Sequence, residues 1–135
     1  MDGVAAVRVA LGTFPALTAL VPSDNIQAGD LPVGATLPAI SLATISRTER
    51  QPLKFGDKRH VTERVQATIH APDVPAQKQI EKVLRRAAAA NRFPAVPGIE
   101  RVTIHTDGAG PDGMNETASI YRGAQDFIVT FNEPT

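Results

Sequence analysis

The chain has 135 residues, 42% hydrophobic and 21% charged, which suits one globular domain with a single core. Its 14 Lys and Arg balance 14 Asp and Glu, so no global charge draws it to nucleic acid or to an anionic membrane. It has no cysteine, which excludes disulfides and thiolate chemistry, and its 4% aromatic content excludes a ring-stacking platform for sugars or single strands.

In chain order, Asp2 is a candidate cap for a first helix, in which Val4, Val7 and Leu11 fall on one face. Gly12 is its expected stop. The apolar start could pass for an export signal, but Arg8 interrupts it and no basic segment precedes it. "FPALTALV" reads as a second short helical turn, and Pro22 to Asn25 as a turn. No apolar run approaches the ~20 residues that a bilayer span needs.

Leu31 to Ser46, "LPVGATLPAISLATIS", carries no charge and is broken by two prolines and a glycine. Its second part, from Leu37, alternates like a strand with Ile40 and Leu42 on one side, until Ile45 breaks the parity. Arg47 to Arg64 is polar, contains Pro52 and Gly56, and reads as an excursion between strands, with a loop or arm at about 47–62. "RVQATIHA" is a half-buried strand: Val65, Ala67 and Ile69 point one way, Arg64, Gln66, Thr68 and His70 the other.

Asp73 is the expected cap of a longer helix, with Pro75 in its first turn. Ala76, Ile80, Val83, Leu84 and Ala87 form its buried stripe, and Lys78, Glu81, Lys82, Arg85 and Arg86 its wet side. Pro94, Pro97 and Gly98 end the segment. "IERVTIHT" is a strand with Val102 and Ile104 inward, and "DGAGPDGMNE" a glycine-rich turn. "TASIYRG" and "DFIVTFNE" read as two closing strands, with Phe127, Val129 and Phe131 alternating. The whole is one α+β domain, residues 1–135. An N-terminal helix and a longer central helix pack a mostly antiparallel sheet of about four to five strands.

No catalytic, cofactor or metal site is expected. His60, His70 and His105 lie 10 and 35 residues apart without a cysteine, so they read as surface histidines. "DGAGPDG" lacks the Lys-Ser/Thr pair and the helix of a phosphate loop. Ser23, Ser41, Ser46 and Ser119 stand in no nucleophile-elbow context. The charge-rich stretch "RTERQPLKFGDKRHVTER" carries more Lys and Arg than Asp and Glu. Arg47, Arg50, Lys54, Lys58 and Arg59 are the candidate partner interface; a solvated hairpin is the plain alternative.

Four stretches together carry a resemblance: "VAAVRVAL…FPALTALV", "NIQAGDLPVGATLPAISLATIS", "RVQATIHAPDVPAQKQIEKVLRRAAAA" and "ASIYRGAQDFIVTFNEP". The most specific parts are Pro38 opening its strand and the step from apolar strand to helix. Over most of its length the chain resembles the tail-completion, or tail-terminator, proteins of long-tailed bacteriophages, a family that includes head–tail joining proteins. It departs from them at "AISLA", where relatives often carry an aromatic residue.

The resemblance implies a non-enzymatic virion protein at the head–tail junction, assembled in the host cytoplasm. Its subunits would form a ring, commonly a hexamer, that caps the finished tail tube and meets the head-connector or head-closure protein. DNA would pass through the lumen without sequence-specific binding, and no membrane or cofactor would be involved. Pro32 and Pro38 would hold the uncharged connector in one path across the subunit. Another neck component, such as a head-closure or adaptor protein, is the nearest alternative; a small ligand-binding or hydrolytic domain is a more distant one.

Overall fold

The computed structural model describes residues 2–29, 36–50, 58–109, 113–115 and 120–134. Helix α1 spans Asp2–Gly12, and its apolar stripe of Val4, Val7 and Leu11 is buried, with Ala6 and Ala10 beside it. The side chain of Asp2, the expected cap, lies outside the described residues. Thr13 closes the turn by donating from Oγ1 to the carbonyl of Val9 at 2.8 Å. A one-turn helix α2, Pro15–Thr18, and a 3-10 turn, Ser23–Asn25, lead into a short strand β1, Ile26–Ala28.

Strand β2 runs Ala39–Arg50, β3 Lys58–Ala71, β4 Glu100–Ala109, β5 Gly113–Asn115 and β6 Ile120–Pro134. Helix α3, Val74–Ala90, crosses between β3 and β4. The strand order is β1-β2-β3-β6-β4, with β5 also beside β6. Among the described strands only the β1–β2 pair is parallel, as expected of a mostly antiparallel α+β sheet.

β3 is the central strand, paired with β2 on one side and β6 on the other. Its alternation decides which face is the core. Val61, Val65, Ala67 and Ile69 are fully buried against α1 and α3, with Phe127, Val129 and Phe131 of β6 beside them. Thr62, Arg64, Gln66, Thr68 and His70 lie on the other face and are half-buried.

The start of β2 is tied down by Asn25, whose Nδ2 donates to the carbonyls of Thr36 and Pro38, each at 3.2 Å. The start of the uncharged connector, residues 31–35, lies outside the described residues. Ile45, which broke the parity of the sequence, sits where the β2–β3 register shifts between Thr44 and Ser46. This is a bulge: one extra residue on β2, turned out to solvent.

Three expectations change. The flanks of the 47–62 segment are strand, since β2 continues to Arg50 and β3 begins at Lys58, paired through to His60. Hydrogen bonding to a partner strand carries polar residues that no hydrophobic alternation marks. The closing region is one 15-residue strand, β6, and not two. Its apparent break, Gly123, is paired with Ile69. Glu81 is buried, at 6% exposure, and Gln77 of the same helix is buried with it. Gly123 makes room for both: a Cβ there would lie 2.1 Å from Glu81 Oε1 and 2.6 Å from Gln77 Nε2. Gln77 uses that closeness to donate to the carbonyl of Arg122 at 3.1 Å.

Asp73 caps α3, its Oδ1 accepting from the Ala76 amide at 2.8 Å. Ile80, at 2% exposure, anchors the helix to the core. Asp73→Ala should therefore cost about 0.5–2 kcal/mol. Ile80→Ala should cost about 2–5 kcal/mol. Chemical denaturation of the two variants checks the order.

Candidate partner interface

The core-side face of β2, β3 and β6 changes from apolar to charged toward one end. Around Val61 and Phe131 it carries Arg47 and Glu49 from β2, Arg59 and Glu63 from β3, and Glu133 from β6. The register brings them together: Arg47 lies opposite Glu63, and Arg59 opposite Glu133. Arg47 donates from Nη1 to Glu63 Oε1 at 2.9 Å and from Nη2 to Glu49 Oε1 at 2.9 Å, and it also pairs with Glu133. Arg59 donates from Nη1 to Glu49 Oε2 at 2.9 Å, with its Nε 3.5 Å from Glu133.

Glu63 is the deepest of these, at 1% exposure. Its second oxygen, Oε2, accepts the backbone N–H of Gly3 at 2.9 Å, in the first turn of α1. An anion is favoured there, because the first amides of a helix lack internal partners and the helix dipole is positive at that end. A Cβ at position 3 would lie 2.3 Å from that oxygen, so only glycine admits the carboxylate.

The cluster sets the ionisation of its members. Hydrogen bonds from Arg47, then from Arg59, hold the Glu49 carboxyl below the usual carboxylate range. For Arg47, burial pulls the guanidinium down, but its bonds to Glu49 and Glu63 and the charge of Glu133 outweigh that and raise it.

The opposite face has its own ion set. Arg64 donates from Nε to Asp126 Oδ2 at 2.9 Å and pairs through Nη1 with Asp107 at 2.7 Å, which joins β3, β6 and β4. Its guanidinium is raised chiefly by the bond to Asp126. His70 stands 3.1 Å from Ser41 Oγ on that face, and burial, then the charge of Arg122, pushes its pKa down. Among the described residues, no group of three or more His, Cys, Asp or Glu is placed to hold a metal ion.

The five expected interface residues thus divide. Arg47 and Arg59 come together, but with Glu49, Glu63 and Glu133, and they hold the sheet end in shape. Arg50 is exposed on the face opposite Arg47, beside His60 in register. Lys58 opens β3, and Lys54 lies outside the described residues. The local positive excess counted along 47–64 is opposed by Glu133, Asp107 and Asp126, which arrive from distant strands. Sequence reading also missed Gln125. It is buried at 2% exposure, donates to the carbonyl of Asp107 at 2.8 Å, and accepts from Arg85 at 3.2 Å.

No family model and no curated protein sequence matches the chain. Its fold is similar to that of a chain in the solved virion of a native gene transfer agent particle, with a TM-score of 0.75 and 15% identity. The match covers 96% of this chain and 93% of that one. At that identity the likeness establishes a shared fold.

Removing the buried partner should hurt far more than removing an exposed one. Glu63→Ala should cost about 1–3 kcal/mol, because it leaves the buried Gly3 amide without its acceptor and takes one of three carboxylates from Arg47. Glu49→Ala should leave the denaturation midpoint nearly unchanged. Gly3→Ala offers a test of sign. In an ordinary helix it would gain up to about 1 kcal/mol; here overpacking on Glu63 should make it destabilising by about 1–3 kcal/mol.

Proposed function

We propose that this chain is a structural virion protein of a phage-like particle: a ring subunit that caps the finished tail tube and joins it to the head connector. The observation that carries this reading is the end-to-end fold match to a chain of a gene transfer agent virion. A fold alone does not fix a function. The second support is the resemblance to tail-terminator proteins. Its stretches fall on α1, α2, β2, β3, α3 and β6, and so on the frame of the fold rather than on one corner.

Such a subunit works by shape and surface charge, without a catalysed step. Arg47 and Arg59 rigidify the end of the sheet from which the arm departs. In this reading Arg50, Lys54 and Lys58 are the cations that meet an acidic surface on a neighbouring subunit or the next ring. Single exposed pairs contribute little and are screened by salt, so the contact depends on several charges together.

A particle-producing strain without the gene should make full heads and tails that do not join, or tails of irregular length. Normal particles would overturn the reading. Reversing Arg50, Lys54 and Lys58 together to Glu should leave the denaturation curve intact and block head–tail joining in a complementation assay. Wild-type yields from that variant would show the arm to be a solvated loop.

A further inference from the structure

Building on the ring-subunit reading, we infer that copies of this chain join edge to edge, the free edge of β2 docking along the β4 side of the next copy. Two features at opposite ends of the sheet point to this contact.

The first is a strand edge that β1 covers only in part and no other described strand covers. β1 covers β2 only at Ile40, Ser41 and Leu42. From Ala43 to Arg50, β2 pairs with β3 on one side and with no described strand on the other. Free edge N–H and C=O groups are a template for another chain, and proteins usually block them with proline, lysine or a covering loop. Here the edge begins Ala43-Thr44-Ile45-Ser46, with no charge. The bulge turns Ile45 outward at 53% exposure, one of three large hydrophobic side chains exposed among the described residues.

The second feature is at the other end. β4 is the last strand of the order, and the carbonyl of Arg92 accepts the Ile104 N–H at 2.8 Å. Beside its first half, Phe93, Pro94, Val96, Pro97, Ile99 and Val102 line an apolar groove of about 790 Å³. Phe93 is 74% exposed. Further along, Ala88, Ala89, Arg92, Ile104, His105 and Thr106 line a small pocket.

The two ends fit one another, which is why the occupant is a second copy. Each step from β2 through β3 and β6 to β4 is antiparallel, so β2 and β4 run in opposite directions. Rotating a copy about an axis along the strands sets its β2 antiparallel to its neighbour's β4, as in the rest of the sheet. The levels agree as well. Thr44 lies across from Val65, Phe127 and then Thr106, and Arg50 across from His60, Asn132 and then Glu100. Ile45 of one copy therefore meets the small pocket of the next, Arg50 meets Glu100, and the strand between them lies along the apolar groove. Different patches meet on the two partners, so the contact is heterologous and closes only as a ring.

The chain has no cysteine, so introduced ones report only their own contacts. With a short bismaleimide, the variant carrying both Ile45→Cys and Thr106→Cys should give a ladder of linked species that ends at one closed size. Either single variant should give none. Light scattering on the unmodified protein gives the assembly mass in parallel. An assembly in which the double variant does not cross-link overturns the edge contact and leaves the ring reading standing. A linked dimer from Ile45→Cys alone overturns it in favour of β2-to-β2 pairing. A monomer at all concentrations overturns both. Ile45→Lys should abolish assembly without changing the denaturation midpoint; an assembled Ile45→Lys protein also overturns the contact.

Discussion

One carboxylate, Glu63, fixes how the helical layer sits on the sheet. It is placed on the core side of the central strand, where a lone charge would cost several kcal/mol. It is tolerated because two partners reach it from different elements: the Arg47 guanidinium of β2 and the Gly3 amide of α1. α1 cannot slide along the sheet without leaving that carboxylate unpaired. β2 cannot end at Ser46, where its hydrophobic alternation fades, because Arg47 must lie opposite Glu63. Arg47 then carries the constraint on to Glu133 of β6. That end of the sheet is thereby a three-stranded platform with fixed geometry.

The parts of this fold that were legible in the sequence are those set by local periodicity. Val65, Ala67 and Ile69 alternate, Val4, Val7 and Leu11 recur on a helical face, and Asp73 precedes a helix it does cap. The parts that were not legible depend on residues far apart in the chain. Arg47 and Glu133 are separated by 86 positions, so charges counted within one segment could not reveal that they cancel. Glu81 looked solvent-facing because its helix alone was considered, and only the missing side chain of Gly123 across the interface explains its burial. The same glycine suggested a break in a strand that runs unbroken. Of the candidate interface residues, Arg47 and Arg59 are paired with carboxylates of the sheet, two of them from other strands.

A net charge of zero hides an uneven distribution. The exposed side of α3 carries Lys78, Lys82, Arg85 and Arg86, while the one acid of that helix, Glu81, is buried. Five carboxylates of the strands, Glu49, Glu63, Glu133, Asp107 and Asp126, are engaged with arginines of the sheet. The molecule thus presents surfaces of different character: a basic helical side, a polar sheet face, a strand edge that starts uncharged at Ala43 to Ser46, and an apolar groove. Distinct surfaces of this kind suit a subunit that touches unlike neighbours around and along an axis.

The most direct test of that reading is to locate the protein on an intact particle. An epitope tag on the chain, detected by gold-labelled antibody in negatively stained particles, reports its position without reference to any model of the contact. The account predicts label at a single place, the junction of head and tail, on nearly every particle. Label spread along the tail or over the head, or particles that carry none, would contradict it.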